Sequence, residues 1–270
     1  MKTKLNIPKA MTIAGSDSGA GAGVQADLKT FAAHGVYGTS VLTAITAQNT
    51  LGVQGIVELP VSIIEGQFNS IMNDINTDVI KIGMLSSVEI IECVDHCLSD
   101  FPDQKLVLDP VMVAKGGDTL LQNEAINSLI GLLIPRSFVI TPNAPEASQL
   151  TNIDVIDIDS AKKAAMKLYD MGASNVVVKG GHLNQDNASD VFFDGNDFYV
   201  FSIKRVETLN THGTGCTFAS AIASGIANQK SLYESVKDAK DYVFNAISNN
   251  FQIGNGHGPL SHFYKFWNFD

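Results

Sequence analysis

Gly213-Thr214-Gly215-Cys216-Thr217 runs straight into the small-residue stretch Phe218-Ala219-Ser220-Ala221-Ile222-Ala223-Ser224-Gly225. A glycine turn that opens a helix leaves amide N–H groups unpaired at the positive end of the helix dipole, and glycine lets an anion approach the backbone closely. Such a turn suits the capture of a transferring phosphoryl group. A plain loop-to-helix junction capped by Thr214 explains the bare motif equally well. Cys216 adds weight to the chemical reading. A thiol at a helix N-terminus is drawn toward a neutral pKa, so it can serve as a base or as one more donor to the anion, although an isolated cysteine is more often a small buried hydrophobe.

A second glycine cluster, Gly15-Ser16-Asp17-Ser18-Gly19-Ala20-Gly21-Ala22-Gly23, follows the first apolar run. It is no dinucleotide fingerprint: the third glycine of G-x-G-x-x-G is Val24 in one register and Ala26 in the other, and the Gly-Lys-Ser/Thr of a P-loop is absent. A loop approaching a small substrate is expected instead. Asp27, one helical turn beyond Gly23, can accept from a substrate hydroxyl or amino group; a solvated helix carboxylate is the alternative. Gln48 ends the second apolar run, and its amide donates and accepts at once, which suits the edge of a nitrogen heterocycle.

Three further strand ends carry charge or oxygen. Asp109 precedes Pro110, Asn143 and Glu146 stand three apart after Thr141-Pro142, and Lys179 ends the apolar Val176-Val177-Val178. Oxygen ligands with retained waters are what Mg²⁺ prefers beside substrate phosphates, and helix capping is the competing role for Asn143 and Glu146. A lysine at the end of so apolar a strand can neutralise phosphates. His34, His96, His257 and His262 have no partnered spacing and read as structural or exposed.

These residues need a scaffold that brings strand ends together. Apolar runs at 10–15, 41–47, 79–82, 106–109, 138–141 and 175–179 alternate with helical periodicity at 23–34, 62–73, 87–99, 123–133, 161–171, 217–228 and 232–250. That alternation predicts an α/β fold with a mostly parallel sheet covered on both faces, and ligands beyond the carboxyl ends of its strands. Two segments depart from it: 52–60, and 190–206, where Val191-Phe192-Phe193 and Phe198-Tyr199-Val200 flank Asp194-Gly195-Asn196-Asp197 as a hairpin. No linker or repeat divides the 270 residues, so a single domain over 1–270 is expected.

A formal charge of −10 disfavours nucleic-acid and membrane-surface partners, and an anionic nucleotide such as ATP must then meet a few placed lysines, amides and a metal ion. Cys93, Cys97 and Cys216 are too few for a disulfide framework and fit a reducing, cytoplasmic setting. Cys93 and Cys97, four apart, lack the second pair a metal site would need. Lys2, Lys4 and Lys9 precede an apolar run at 10–14 that is too short for a signal-peptide core.

Taken together, Thr12-Ile13-Ala14-Gly15-Ser16-Asp17-Ser18, Gly21-Ala22-Gly23-Val24-Gln25-Ala26-Asp27, Gln48-Asn49-Thr50, Lys81-Ile82-Gly83-Met84-Leu85, Asp109-Pro110-Val111-Met112, Thr141-Pro142-Asn143 with Glu146, Lys179-Gly180-Gly181-His182 and the Thr211–Thr217 turn resemble the hydroxymethylpyrimidine and phosphomethylpyrimidine kinases of thiamin biosynthesis, in the ribokinase-like superfamily. The resemblance runs nearly end to end. It implies a three-layer fold with a small edge hairpin, dependence on ATP and Mg²⁺, and a homodimer. By position it implies a pyrimidine pocket of Gly15, Asp27, Gln48, Met84 and Val111. It further implies a phosphate cradle of Lys179 and Gly213, Thr214, Gly215 and Cys216, and a metal side of Asp109, Asn143 and Glu146. The family's glycine loop carries a further glycine where this chain has Ala20, and the wider superfamily has an aspartate base where this chain has Cys216.

The expected reaction is transfer from ATP to the hydroxymethyl oxygen of 4-amino-5-hydroxymethyl-2-methylpyrimidine and then to its monophosphate. A pyridoxal or pyridoxine kinase is the nearest rival, since that ring also bears a hydroxymethyl group. A non-catalytic pyrimidine sensor is the rival from another class, and it would have no need of Lys179, the metal side or Cys216.

Overall fold

The computed structural model describes residues 7–112, 123–181, 183 and 187–267. Lys2, Lys4 and His182 lie outside them. The strands are β1 (Lys9–Asp17), β2 (Tyr37–Asn49), β3 (Gly52–Glu58), β4 (Val79–Ile82), β5 (Leu106–Leu108), β6 (Val139–Ile140), β7 (Val176–Val178), β8 (Asn187–Phe193) and β9 (Phe198–Lys204). The helices are α1 (Gly23–Ala33), α2 (Val61–Met72), α3 (Val88–Leu98), α4 (Asn123–Ser128), α5 (Ala144–Thr151), α6 (Ile158–Asp170), α7 (Thr214–Ala227) and α8 (Leu232–Ser248). Among the described residues the strands form one sheet in the order β3-β2-β1-β4-β5-β6-β7-β8-β9.

Period-two alternation explains why the central strands read as unbroken apolar runs. Ile80, Ile82, Leu106, Leu108, Ile140, Val176 and Val178 pack with α2 to α6 on one face. Val79, Val107, Val139 and Val177 point the other way, onto α1, α7 and α8. The result is the three-layer arrangement expected from the sequence. Strands β2, β1, β4, β5, β6 and β7 are mutually parallel, while β3 at one edge and the β8–β9 hairpin at the other run antiparallel to their neighbours. Segment 52–60, which broke the sequence pattern, is therefore largely the edge strand β3.

The chain leaves β1 for β2 on one side and returns to β4 on the other, so strand order reverses at β1. Ligand crevices of open α/β sheets form at such a point. Two bulges act there. The β1–β2 register shifts between Ala14 and Ser16, and the β2–β3 register between Ala47 and Gln48. The extra residue of the second lies in β3, opposite the Ala47–Gln48 step.

Four helices differ most from the sequence expectation, among them α6, which begins at Ile158 and not at 161. α7 begins at Thr214, not 217, which places Gly215 and Cys216 inside its first turn. α5 was absent from the helical pattern because Pro142 and Pro145 interrupt it, yet Pro145 sits in the first turn, where its missing N–H costs nothing. The expected 123–133 helix is α-helical only to Ser128 and widens to a π-turn over Leu129–Leu133. Among the described residues no helix is long and apolar enough to cross a membrane.

Candidate active site

A cavity of about 840 Å³ lies over the carboxyl ends of β1, β4, β5 and β7 and the first turn of α7. Gly15, Gln48, Met84, Val111, Asp109, Asn143, Glu146, Lys179 and Gly213 to Cys216 all line it, so the structure brings nearly all of the sequence-selected residues to one place. Asp27 is the exception.

The turn before α7 depends on Gly213. Its φ of +81° lies in the left-handed region, and a Cβ there would stand 1.8 Å from the Gly21 carbonyl oxygen. The two glycine loops are therefore pressed together backbone to backbone. Thr214 donates its hydroxyl to the Thr211 carbonyl at 2.7 Å, Thr214 N–H reaches the same oxygen at 3.3 Å, and Thr217 N–H reaches Gly213 O at 2.9 Å. No side chain caps the helix. The amides of Gly215 and Cys216 are left for a ligand at the positive end of the dipole.

Gly215 also touches the charged floor. A Cβ on it would lie 3.1 Å from Lys179 Nζ and 3.7 Å from Asp109 Oδ2. Lys179 Nζ bonds Asp109 Oδ1 at 2.7 Å, and although burial opposes its charge, Asp109 and Glu146 raise its pKa above the ordinary value. The other oxygen, Asp109 Oδ2, is buried with no hydrogen-bond partner among the described residues. An orphaned carboxylate oxygen costs free energy unless something binds it.

Asn143 and Glu146 prove to be a capping box. Asn143 Oδ1 accepts from Glu146 N–H at 2.9 Å and Glu146 Oε2 from Asn143 N–H at 2.7 Å. The capping role thus engages the Asn143 oxygen that the sequence assigned to a metal, which keeps its second lone pair, and Glu146 also accepts from the Met112 backbone while lining the cavity. Burial, with Asp109 adding to it and Lys179 opposing, pushes the Glu146 carboxyl up to about 7. No cluster of three acidic, histidine or cysteine ligands occurs among the described residues. Asp109 Oδ2, with Asn143 and Glu146 beside it on the cavity wall, suits a cation that keeps waters and takes its other ligands from phosphates, as Mg²⁺ does.

Asp27 does not face the cavity. It is fully buried, and its oxygens are taken by Thr12 Oγ1 at 2.6 Å, Lys81 Nζ at 3.0 Å and Ser220 Oγ at 2.7 Å. It stands behind the site and ties β1, α1, β4 and α7 together. Cys216 also departs from expectation. Burial, reinforced by Asp27 and Asp109 and opposed by Lys81, pushes its thiol up to about 11, the opposite of the lowering expected at a helix N-terminus.

At the other end of the cavity Met84 covers Gly15, where a Cβ would stand 2.4 Å from the methionine methyl. Gln48 has its Oε1 3.1 Å from Thr46 Oγ1 and its Nε2 3.2 Å from His212 Nε2. His212 Nε2 lies 2.8 Å from Asp17 Oδ2. Burial alone would raise the Asp17 pKa, but His212 and the amides of Ala22 and Gly19 outweigh it and hold Asp17 below the usual carboxylate range. Sequence reading quoted both residues in motifs and gave neither a role. Its one available signal was a histidine directly before the glycine turn. Ala20 has φ +60°, so the position where the family's extra glycine stands is left-handed here, at a cost of roughly 1 kcal/mol for alanine.

The family model for phosphomethylpyrimidine kinase matches residues 17–261. A hydroxymethylpyrimidine/phosphomethylpyrimidine kinase of Haemophilus influenzae is 50% identical over 262 residues, covering 95% of this chain and 97% of the relative. A Clostridium difficile phosphomethylpyrimidine kinase structure superposes with a TM-score of 0.80 at 43% identity, over 88% of this chain and 99% of that one. A Bacillus subtilis pyridoxal kinase solved as an ADP complex superposes with a TM-score of 0.90 at 38% identity, over 97% of this chain and all of that one (100%). Sequence and fold both lead to kinases, and the chain belongs to the phosphomethylpyrimidine kinase family.

Proposed function

We propose that the chain transfers the γ-phosphoryl group of ATP to the hydroxymethyl oxygen of 4-amino-5-hydroxymethyl-2-methylpyrimidine, and in a second round to the resulting monophosphate. The observation that carries this reading is one continuous cavity with Gln48, Met84, Gly15 and Val111 at one end and Lys179, Asp109 and the Gly213–Cys216 turn at the other. The substrate hydroxyl oxygen attacks phosphorus, the bond to the bridging oxygen breaks, ADP leaves, and the hydroxyl proton passes to an oxygen of the transferred phosphoryl group and on to water. Charge on the equatorial oxygens is met by the free amides of the turn and by Lys179. A loose transition state needs little base, so a protonated Cys216 thiol is compatible with turnover as a donor. Asp109, with Glu146, would hold Mg²⁺, which supplies charge neutralisation between phosphates.

The pyridoxal reading is favoured by one observation, the high TM-score to a pyridoxal kinase. Steady-state kinetics of the purified protein with ATP and each ring would separate the two. We expect kcat/KM for the aminopyrimidine to exceed that for pyridoxal by at least about 10², the discrimination that one misplaced polar contact supplies. A preference for pyridoxal would reverse the assignment.

We further infer a cytoplasmic homodimer acting on small molecules, without nucleic-acid or membrane partners, in one domain. The net charge of −10 and three free cysteines support the setting. Exposed Ile45, Ile56 and Val57 on β2 and β3 support self-association through that edge, and sedimentation equilibrium would show a monomer if it is wrong.

A further inference from the structure

The Gln48 carboxamide stands in a chain of hydrogen bonds whose protons can be counted. Asp17 Oδ1 accepts from Gly19 N–H at 2.8 Å, and Oδ2 accepts from Gly21 N–H at 3.0 Å and Ala22 N–H at 2.8 Å. Three amide donors favour the charged carboxylate. A carboxylate can only accept, so the His212 Nε2 that faces it at 2.8 Å must carry a hydrogen, whether the ring is neutral or charged. That nitrogen then has no lone pair to offer Gln48. A carboxamide nitrogen at 3.2 Å from it would set donor against donor, whereas a carboxamide oxygen in the same place would accept.

The opposite end of the amide gives the same answer. Thr46 Oγ1 lies 2.9 Å from the Ser16 carbonyl oxygen, an acceptor with no hydrogen of its own, and 3.1 Å from the amide terminus placed as Gln48 Oε1, which would make the one hydroxyl hydrogen serve two acceptors. Its single hydrogen goes to Ser16, and what it has left is lone pairs. An amide N–H satisfies them and an amide oxygen does not. The two termini of a carboxamide have the same shape and are told apart by such partners.

We infer that His212 is a positioning residue that holds Gln48 with its oxygen toward His212 and its nitrogen toward Thr46, so that one lone pair and one N–H meet the ring in a fixed order. The inference rests on the aminopyrimidine reading. An exocyclic amino group donates on the His212 side and the neighbouring ring nitrogen accepts on the Thr46 side. A 4-oxo analogue has the opposite pattern: its exocyclic oxygen accepts and its ring N–H donates. It could be matched only by turning the amide over, against both His212 and Thr46. His212 immediately precedes Gly213, so the same turn that binds phosphate also sets which ring is read.

The test is calorimetric binding of the 4-amino and 4-oxo rings, without nucleotide, to wild type, His212→Leu and His212→Gln. Wild type should prefer the amino ring by about 30-fold or more. In His212→Leu only Thr46 still orients the amide, and the preference should fall by about 5-fold or more. Glutamine places an N–H at the reach of Nε2 and should restore it. If His212→Leu weakens both rings equally with the ratio kept, His212 is merely structural and the inference fails. If that variant does not fold, a crystal structure of wild type with the amino ring decides: an amino group on the Thr46 side would overturn the assignment. Wild type that binds neither ring would overturn the function reading itself, a failure distinct from an unchanged ratio.

Discussion

Lys81 Nζ and Asp27 Oδ2 lie 3.0 Å apart with both side chains fully shielded from water. Burial opposes the lysine charge, but Asp27, Cys216 and Asp109 more than offset this and raise its pKa. A buried ion pair is weak evidence of net stability, because desolvation consumes most of the Coulombic gain. Breaking one is costly. We expect Asp27→Asn to lower unfolding free energy by about 3–5 kcal/mol in urea titrations, and Asp27→Leu with Lys81→Met to recover most of the loss. An Asp27→Asn midpoint equal to wild type would show that the charge is not confined as the structure has it.

A thiol raised to about 11 is ionised to only about one part in 10⁴ at pH 7. With Cys93 and Cys97 replaced by serine, alkylation of Cys216 by iodoacetamide should be slow at pH 7 and climb roughly tenfold per pH unit through pH 9–10. Cys216→Ser keeps a donor and should hold turnover within about 10-fold, while Cys216→Ala should lose about 10². A reactivity plateau already reached below pH 8 would restore the thiolate base that the sequence suggested.

Gly213 admits no side chain on two counts, a positive φ and a Cβ position 1.8 Å from Gly21 O. Gly213→Ala must part the two glycine loops, which moves the free amides of Gly215 and Cys216 away from the transferred phosphoryl group. Turnover should drop by about 10² or more, with a lower thermal midpoint from the left-handed strain of roughly 1–2 kcal/mol. Retention of wild-type kcat would mean that the turn does not bind the reacting phosphate.

The layer order and the cavity were legible because they follow from local pattern. Central strands buried on both faces give unbroken apolar runs, and polar residues at their ends mark the crevice. What stayed hidden depended on tertiary contact. Asp27, one turn past a glycine loop, has the sequence look of a ligand; only Lys81, 54 residues away, turns it inward. Lys81 itself sits in the four-residue β4, too short for period two to show that it shares the Val79 face. His212 and Asp17 are 195 residues apart, and no spacing rule joins them. The start of α7 was obscured because Gly213 and Gly215, poor helix formers, are there for close approach and not for propensity.

His262 gives the chain a stability that depends on pH. Its ring is buried beside α7, with Nε2 2.9 Å from Thr217 Oγ1, and its backbone carbonyl accepts from Tyr242 OH at 2.8 Å. Burial, with nearby Lys29, lowers its pKa to about 4 against 6.5 for a free ring. Between pH 6.5 and 4 the unfolded chain therefore binds a proton that the folded chain does not, so stability falls as pH falls through this window. Below about pH 4 the folded ring protonates too and the loss levels off, at on the order of 3 kcal/mol. Urea unfolding of wild type and His262→Gln at constant ionic strength from pH 7 to 4.5 isolates this contribution, because the carboxylate background is common to both proteins. The glutamine variant should be less stable at pH 7 and show a shallower decline toward pH 4.5. Parallel curves for the two proteins would mean that His262 titrates alike in the folded and unfolded states, which its burial and the nearby Lys29 argue against.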